Sequence, residues 1–307
     1  MSSKLTTAER AIGEFVSDGS SVHLGGFGHL YPYGLVHEMI RQRKRNLTIC
    51  KHSPELMADQ LIGAGCVRKL LFGYVSNPRV GAAHCFDRAI KSGIPNQLEL
   101  EEYSHQALTT RLRAGAYGLS FLPSKTMVGS DYQKINPNVK KVTCPFTGNE
   151  LVALPALEPE VTLIHVQRSD EEGNSHVWGI IGDIREAVIA SKRVIISAEK
   201  IVSSDVIRSD PNRTAVPGFK VSAVVEQPWG AHPSYAQGYY DRDNEYYFEY
   251  EAATRSGEDF QRWLSDWVLD LKDRSEYVKK LGSARLEKLK PKYKASQPIN
   301  YGRYEMW

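Results

Sequence analysis

Glycines follow a short apolar segment close to the start of the chain. Residues 21–24 alternate polar and apolar side chains as in a half-buried strand, and Gly25, Gly26, Phe27 and Gly28 come directly after them. Glycine has no Cβ atom, so a ligand can pass close to the backbone and contact its amide groups. This pattern predicts a loop that binds an anion or an oxyanion. A tight turn without a ligand is the alternative.

The elements that must position this loop alternate along most of the chain. The predicted strands are 21–24, 47–50, 69–74, 98–101, 151–154, 162–166, 193–198 and 221–225. The predicted helices are 7–16, 35–42, 54–63, 78–92, 104–117, 184–190 and 258–269. Apolar strands separated by helices predict an α/β fold with an open, twisted, mostly parallel sheet and helices on both faces. Ligands of such folds bind at the carboxyl ends of the strands.

No clear boundary interrupts these elements. We therefore predict one domain over residues 1–290 and a C-terminal tail over residues 291–307. Residues 235–250 are rich in tyrosine, which buries a large area and keeps a polar tip. This segment either covers a partner subunit or wraps over the core of the chain itself.

The glycine loop is the first of many landmarks that occur in one order along the chain. The others are Tyr31-Pro32-Tyr33-Gly34, Tyr74 with Asn77, Phe121-Leu122-Pro123, Gly129-Ser130, Asn149 to Pro155, Trp178-Gly179, Gly230-Ala231-His232-Pro233, Tyr240-Asp241, Asp243-Asn244 and Asp270-Leu271-Lys272-Asp273. Together they resemble the α subunits of family I coenzyme A transferases, and the glutaconate type most of all. The resemblance runs from Ala11 to about Leu289.

This resemblance implies a division of labour between two chains. In the family, a glutamate of the β subunit, within a Ser-Glu-Asn-Gly segment, attacks the acyl-CoA thioester. The present sequence contains no such tetrapeptide. The implied protein is the α subunit of a heteromer, α2β2 or larger, whose β subunit carries the catalytic glutamate. A short dicarboxylic or branched acyl-CoA and a small carboxylic acid are its implied substrates, with no permanently bound cofactor.

The resemblance and the residue chemistry together indicate further candidates for substrate or CoA binding. Ser76 and Asn77 offer a hydroxyl and an amide for a distal carboxylate, or else cap a helix before Pro78. The glutaconate type has serine at the Pro78 position, which weighs against glutaconate itself as the substrate. Lys125 is a candidate partner for a carboxylate or a CoA phosphate, with an exposed turn lysine as the alternative. His232 is a candidate for substrate or CoA binding and for proton transfer, with a buried, hydrogen-bonded histidine as the alternative.

Glu102 indicates a second possible class of enzyme. With Glu101 it lies before Ser104 at a predicted helix start, where acidic residues also favour the helix dipole. Some relatives open a cyclic β-diketone thioester with an acid at this position, and a buried carboxylate with a raised pKa would activate water. Glu102 is therefore the candidate catalytic base of a hydrolase or carbon–carbon lyase. A non-catalytic module that binds phosphosugars is the third alternative.

Composition excludes several other classes. A net charge of +3 from 39 basic and 36 acidic residues gives no indication of nucleic-acid binding beyond the short basic segment 41–45. The four cysteines lack Cys-x-x-Cys spacing, and the histidines lack metal-ligand spacing, so we expect no metal. No apolar segment reaches membrane-spanning length and no signal segment is recognisable, so we expect a cytoplasmic protein without a membrane partner.

Overall fold

The computed structural model describes residues 3–291. The strands are β1 (Ser21–Leu24), β2 (Leu47–Lys51), β3 (Val67–Phe72), β4 (Glu99–Glu102), β5 (Phe121–Ser124), β6 (Lys140–Thr143), β7 (Glu150–Pro155), β8 (Val161–Ser169), β9 (Ser175–His176), β10 (Arg193–Ile201), β11 (Thr214–Val216) and β12 (Val221–Glu226). The helices are α1 (Ala8–Phe15), α2 (Tyr33–Arg41), α3 (Glu55–Gly63), α4 (His84–Ser92), α5 (His105–Ala116), α6 (Tyr132–Ile135), α7 (Ile184–Ala190), α8 (Ser204–Arg208), α9 (Asn244–Ala253), α10 (Gly257–Leu264), α11 (Arg274–Leu281) and α12 (Ser283–Leu289).

Among the described residues the main sheet has nine strands, and its parallel members follow the order β12-β10-β8-β1-β2-β3-β4. Strand β9 adds antiparallel to β8, and β11 adds antiparallel to β9. In the register, Val22 pairs with Ile49 on one side and with Val161 on the other. The strand order reverses between β1 and β8, and such a switch point opens a crevice at the carboxyl ends of the strands. The predicted α/β fold is confirmed.

Both faces of this sheet are covered, which explains why β8 and β10 read as nearly continuous apolar segments. Leu163 and Ile195 pack in a core that includes residues of α1, α2 and α3. Ile164 and Ile196, one residue further along the same strands, pack in a second core with Ile184 of α7. Alternate residues of one strand therefore point to opposite helical layers.

A second, three-stranded sheet of order β5-β7-β6 is antiparallel. The prediction that residues 151–154 form a parallel strand was wrong about the pairing: β7 pairs with β5 and β6. Residues 140–143, in a segment without clear periodicity, form β6. Its side chains are exposed or half-buried, so no apolar pattern marks it in the sequence.

Two predicted helices differ from the observed ones. The helix predicted over 78–92 begins at His84, since residues 78–83 include Pro78 and Gly81, whose φ is +84°. The helix predicted over 258–269 consists of α10 and a π-helical turn, Ser265–Leu269.

The tyrosine-rich segment packs mainly on the chain's own core. Tyr240, Tyr246, Tyr247 and Tyr250 are each at most 2% exposed. Apart from Pro291, the predicted tail lies outside the described residues, and the single domain over 1–290 stays a prediction. Within residues 3–291, no helix is long and apolar enough to cross a membrane, and no three His, Cys, Asp or Glu side chains are grouped to hold a metal ion.

Candidate functional site

The glycine loop lies at the switch point, directly after β1. The Gly25 amide donates to the Leu163 carbonyl of β8 over 2.7 Å. Gly26 has a φ of +83°, and a Cβ atom there would lie 2.6 Å from the His29 carbonyl oxygen. Gly28 has a φ of +73°, but a Cβ atom there would meet no other atom within 4 Å. The chain's own backbone therefore requires glycine at position 26, whereas space is open beside Gly28.

The amide groups of this loop are largely engaged within the chain. The Phe27 amide donates to the His29 carbonyl and the Gly28 amide to the Tyr31 hydroxyl, each over 3.1 Å. The Gly25 amide is engaged as well. An oxyanion would reach these three donors only if their present bonds opened, so oxyanion binding by the loop stays a prediction.

Beneath the loop lies a buried polar cluster made of His23, Lys51, His52 and Asp183. Lys51 Nζ is 2.7 Å from one oxygen of Asp183, and the Nε2 atoms of His23 and His52 are 3.0 Å and 3.2 Å from the other. All four side chains are at most 5% exposed. Lys51 is the last residue of β2 and His52 follows it, whereas Asp183 precedes α7. The cluster therefore joins the carboxyl ends of β1 and β2 to the loop before α7.

Burial and charge pairing set the protonation of this cluster. Burial alone would raise the pKa of Asp183, but Lys51 and His23 outweigh it and hold that pKa well below its usual value. Burial lowers the pKa of His52 to about 4 and also lowers the pKa of His23. At neutral pH Asp183 is thus ionised and both histidines are neutral, while burial, opposed by Asp183, lowers the pKa of Lys51. The Nδ1 atoms of both histidines are buried without a hydrogen-bond partner.

Aromatic rings extend the cluster to the surface of the crevice. The His52 ring packs edge-on against Phe27 at 4.9 Å and against His105 at 5.2 Å between centroids. His105 is exposed at the start of α5 and lies 6.2 Å from Phe27. Sequence reasoning did not include Lys51, His52, His105 or Asp183 among the site residues. Lys51-His52 directly after a predicted strand was the available signal.

The two adjacent carboxylates of β4 have different environments. Glu101 is buried, pairs with Lys69 at 2.6 Å and Arg111 at 3.0 Å, and accepts a hydrogen bond from the Tyr103 hydroxyl. Burial would raise its pKa, but the bonds from Lys69 and Tyr103 and the Arg111 charge lower the pKa to about 2. Glu101 is thus a structural ion-pair residue.

Glu102 is half-buried at the carboxyl end of β4. Its Oε1 atom accepts a hydrogen bond of 2.7 Å from the Tyr132 hydroxyl, and its backbone carbonyl accepts one from Asn136. Ser104 caps the start of α5, since its hydroxyl accepts a hydrogen bond from the Ala107 amide. The role of Glu102 as a base stays a prediction, tested below.

We expect Glu101→Gln to destabilise the chain by about 2 kcal/mol at pH 7, because the buried Arg111 and the partly buried Lys69 lose their counter-charge. The folded pKa lies below the unfolded one. The stabilisation is therefore complete above about pH 4.5 and is lost as pH falls towards 2. Urea unfolding of both proteins between pH 7 and pH 3.5 measures this.

Glu99→Gln is the matched control on the same strand, because the Glu99–Arg68 pair is about half exposed. It should cost less than about 0.5 kcal/mol. A Glu101→Gln difference that stayed constant down to pH 3.5 would contradict the assignment of Glu101 as an ionised structural residue.

Ser76 and Asn77 are both buried after β3. The Asn77 amide donates to the Tyr247 carbonyl over 2.9 Å, and its side-chain oxygen accepts from the Arg79 amide. The Asn77 side chain therefore ties the loop after β3 to α9. A substrate carboxylate would compete with these two bonds.

Lys125 and His232 lie in contrasting environments. Lys125 is exposed just after β5. His232 is fully buried, with its Nδ1 2.8 Å from the Tyr277 hydroxyl and its Nε2 2.9 Å from Asp243. Burial lowers the pKa of His232 to about 4. Because both ring nitrogens have partners inside the chain, the structure supports the structural alternative for His232.

Comparison with known proteins places this architecture in a family. The model of the coenzyme A transferase family matches residues 5–227. The A-type subunit of 3-oxoadipate CoA-transferase from Pseudomonas knackmussii is 43% identical, over 92% of this chain and 99% of that protein. The A-type subunit of glutaconate CoA-transferase from Acidaminococcus fermentans is 35% identical, over 94% of this chain and 95% of that protein.

Solved structures agree with the sequence comparison. The crystal structure of glutaconate CoA-transferase from Acidaminococcus fermentans superimposes with a TM-score of 0.88 at 34% identity, covering 94% of this chain and 96% of that chain. A crystal structure of the decarboxylase AibA/AibB has a TM-score of 0.73 at 30% identity and covers 86% and 100% of the two chains. The chain belongs to the coenzyme A transferase family, and it is a CoA-transferase subunit of the A type.

Proposed function

We propose that this chain is the α subunit of a heteromeric transferase that moves CoA between a short dicarboxylic acyl-CoA and an acid acceptor. The observation that carries the proposal is its similarity, over nearly the whole length, to A-type subunits named for 3-oxoadipate and glutaconate, which are both dicarboxylates. A branched acyl group is the alternative substrate. Free cysteines at all four positions support a reducing, cytoplasmic location.

The proposed reaction divides between two chains. On the β subunit, the carboxylate of a glutamate attacks the thioester carbon, and the carbon–sulfur bond breaks to give an acyl-glutamyl anhydride and CoA thiolate. The thiolate then attacks the glutamyl carbonyl, which releases the acid and leaves an enzyme–CoA thioester. The acceptor acid reverses these steps. No resident cofactor is required, and an α2β2 or larger assembly is proposed.

In this scheme, the described chain contributes the crevice wall beside the acyl group. The open space at Gly28 and the rings of Phe27 and His105 lie at the carboxyl edge of the sheet. The ion pair of Lys51 and Asp183 fixes the base of that wall, because neither side chain can move into solvent without leaving the other buried and unpaired.

The proposal is tested by supplying acetate to the co-expressed complex. The chain is produced with the product of the adjacent gene, and a set of acyl-CoAs is incubated with and without acetate. Acetyl-CoA formation demonstrates transfer. Free CoA at equal rates with and without acetate would instead demonstrate hydrolysis.

A thioester hydrolase or carbon–carbon lyase with Glu102 as its base is the second candidate. The observations that favour it are the position of Glu102 at the sheet edge with a single Tyr132 bond, and the similarity to a decarboxylase. In a transferase, the nucleophile is on the partner. We therefore expect Glu102→Gln to lower kcat/KM by no more than about tenfold, or about 1.4 kcal/mol.

Steady-state kinetics of the reconstituted complex measure the effect of Glu102→Gln. Tyr132→Phe is the companion variant, since it removes the hydrogen bond to Glu102 and leaves the carboxylate in place. A loss of about a hundredfold to ten-thousandfold in Glu102→Gln alone is typical of a missing general base. That result would overturn the assignment as a transferase and favour the hydrolase.

A further inference from the structure

Arg242 lies beside Tyr247 of the tyrosine-rich segment and beside the first residues of α2 and α3, Tyr33 and Glu55. Its guanidinium carbon is 4.3 Å from the centre of the Tyr247 ring, and its side chain is 25% exposed. The Nε and Nη2 atoms are buried and have no hydrogen-bond partner. The nearest carboxylate oxygen, on Glu55, is 3.9 Å from Nη2. This distance is too long for a hydrogen bond.

A second buried donor without a partner lies close to Arg242. The hydroxyl group of Tyr33 makes no hydrogen bond, although its side chain is fully buried. Its charge interactions with Tyr247, Glu55 and Arg242 place it beside them. Buried donors without partners are costly, and an arginine fork matches the two oxygens of a carboxylate.

Glu55 does not satisfy these donors. It has a φ of +47°, an uncommon conformation for a residue with a side chain, and it accepts a 3.2 Å bond from the Tyr247 hydroxyl. Burial, opposed in part by Arg242 and Tyr247, raises the pKa of Glu55 to about 7. At neutral pH the Arg242 charge is therefore only partly neutralised.

Tyr31 connects these two donors to the glycine loop. Tyr31, whose hydroxyl accepts from the Gly28 amide, packs edge-on against Tyr33 with 6.3 Å between centroids. Asn77 donates to the Tyr247 carbonyl and so holds the helix that carries the Tyr247 ring. Arg242 is thus linked to Gly28 through two neighbouring side chains, Tyr33 and Tyr31.

We propose that Arg242, with the Tyr33 hydroxyl, binds the distal carboxylate of a dicarboxylic acyl group. The inference rests on the proposed transferase function and gives it a specificity determinant. It assigns to Arg242 the carboxylate binding that the sequence predicts for Ser76 and Asn77. The donors of Arg242 and Tyr33 are buried beside aromatic rings, and a planar carboxylate matches the arginine fork with two hydrogen bonds.

The test compares two acceptor acids of equal chain length, glutarate and valerate, in the reconstituted complex. We expect Arg242→Met to reduce the ratio of kcat/KM for glutarate to that for valerate by about 30- to 100-fold, because methionine keeps the aliphatic packing and loses the fork. Arg242→Lys keeps the charge and should recover part of the ratio. Arg79→Met is the matched control, since Arg79 is an exposed arginine over the ring of Phe248, which follows Tyr247 on α9.

Each outcome decides the assignment. An unchanged ratio in Arg242→Met would overturn it, and equal losses with both acids would indicate a CoA phosphate contact instead. Loss of the complex on gel filtration would make Arg242 an interface residue. Should the wild-type complex transfer no CoA, the proposed function fails. Calorimetric titration with glutarate still tests the subsite, which predicts binding to the wild-type complex that Arg242→Met abolishes.

Discussion

The purified chain alone should form no detectable acetyl-CoA from an acyl-CoA and acetate, and adding the β subunit should restore the activity. The whole catalysed rate should depend on the β subunit, because the proposed nucleophile belongs to that partner. A binding wall without a nucleophile leaves only the uncatalysed exchange of a thioester with an acid. The measurement is chromatographic detection of acetyl-CoA, with each chain assayed alone and then with both mixed.

Contamination is the principal difficulty, because a host CoA-transferase subunit could supply the missing half. A β chain whose candidate glutamate is replaced by alanine is the matched control, and its mixture with this chain should be inactive. Acyl transfer by the isolated chain, free of host partner by mass spectrometry, would refute the division of labour.

The parallel sheet could be predicted because its strands carry their own signal. Buried strands such as β8 and β10 need apolar side chains on both faces, so most of their consecutive residues are apolar. The pairing of β7 is not local information. Residues 151–154 have the same apolar character as a parallel strand, and only their partners in space show that they belong to the antiparallel sheet.

The candidate site was predictable to the same limited extent. The glycine loop is a continuous segment, so its residues could be named from the sequence. Lys51 and Asp183 are 132 positions apart, and Glu55 and Tyr247 are 192 apart. No periodicity joins such residues, because their contact is produced by the order of strands in the sheet. His232 shows the converse, since a chemically attractive residue in a landmark motif has both nitrogens engaged in the core.

Gly26 and Gly28 should respond differently to the same added methyl group. At Gly26, alanine would force Cβ against the backbone oxygens of His29 and Leu30, 2.6 Å and 2.7 Å away, at a positive φ. We expect Gly26→Ala to cost roughly 2–4 kcal/mol of stability and to lower turnover of the complex at least about a hundredfold, because the whole loop must shift. Urea unfolding and steady-state kinetics measure the two effects.

Gly28→Ala separates binding from folding. Its Cβ would meet no atom within 4 Å, so the only cost within the chain is the positive φ, roughly 1–2 kcal/mol. Gly118→Ala is the matched control, with a φ of +67° and open space at the end of α5. If the acyl group passes beside Gly28, both variants lose the same stability, but only Gly28→Ala loses about 10- to 100-fold in kcat/KM, as expected for a methyl group in a close contact. Equal kcat/KM values in the two variants would show that the loop is a turn without a binding role. Space that accepts a methyl group without a kinetic effect is not occupied by the acyl group during the reaction.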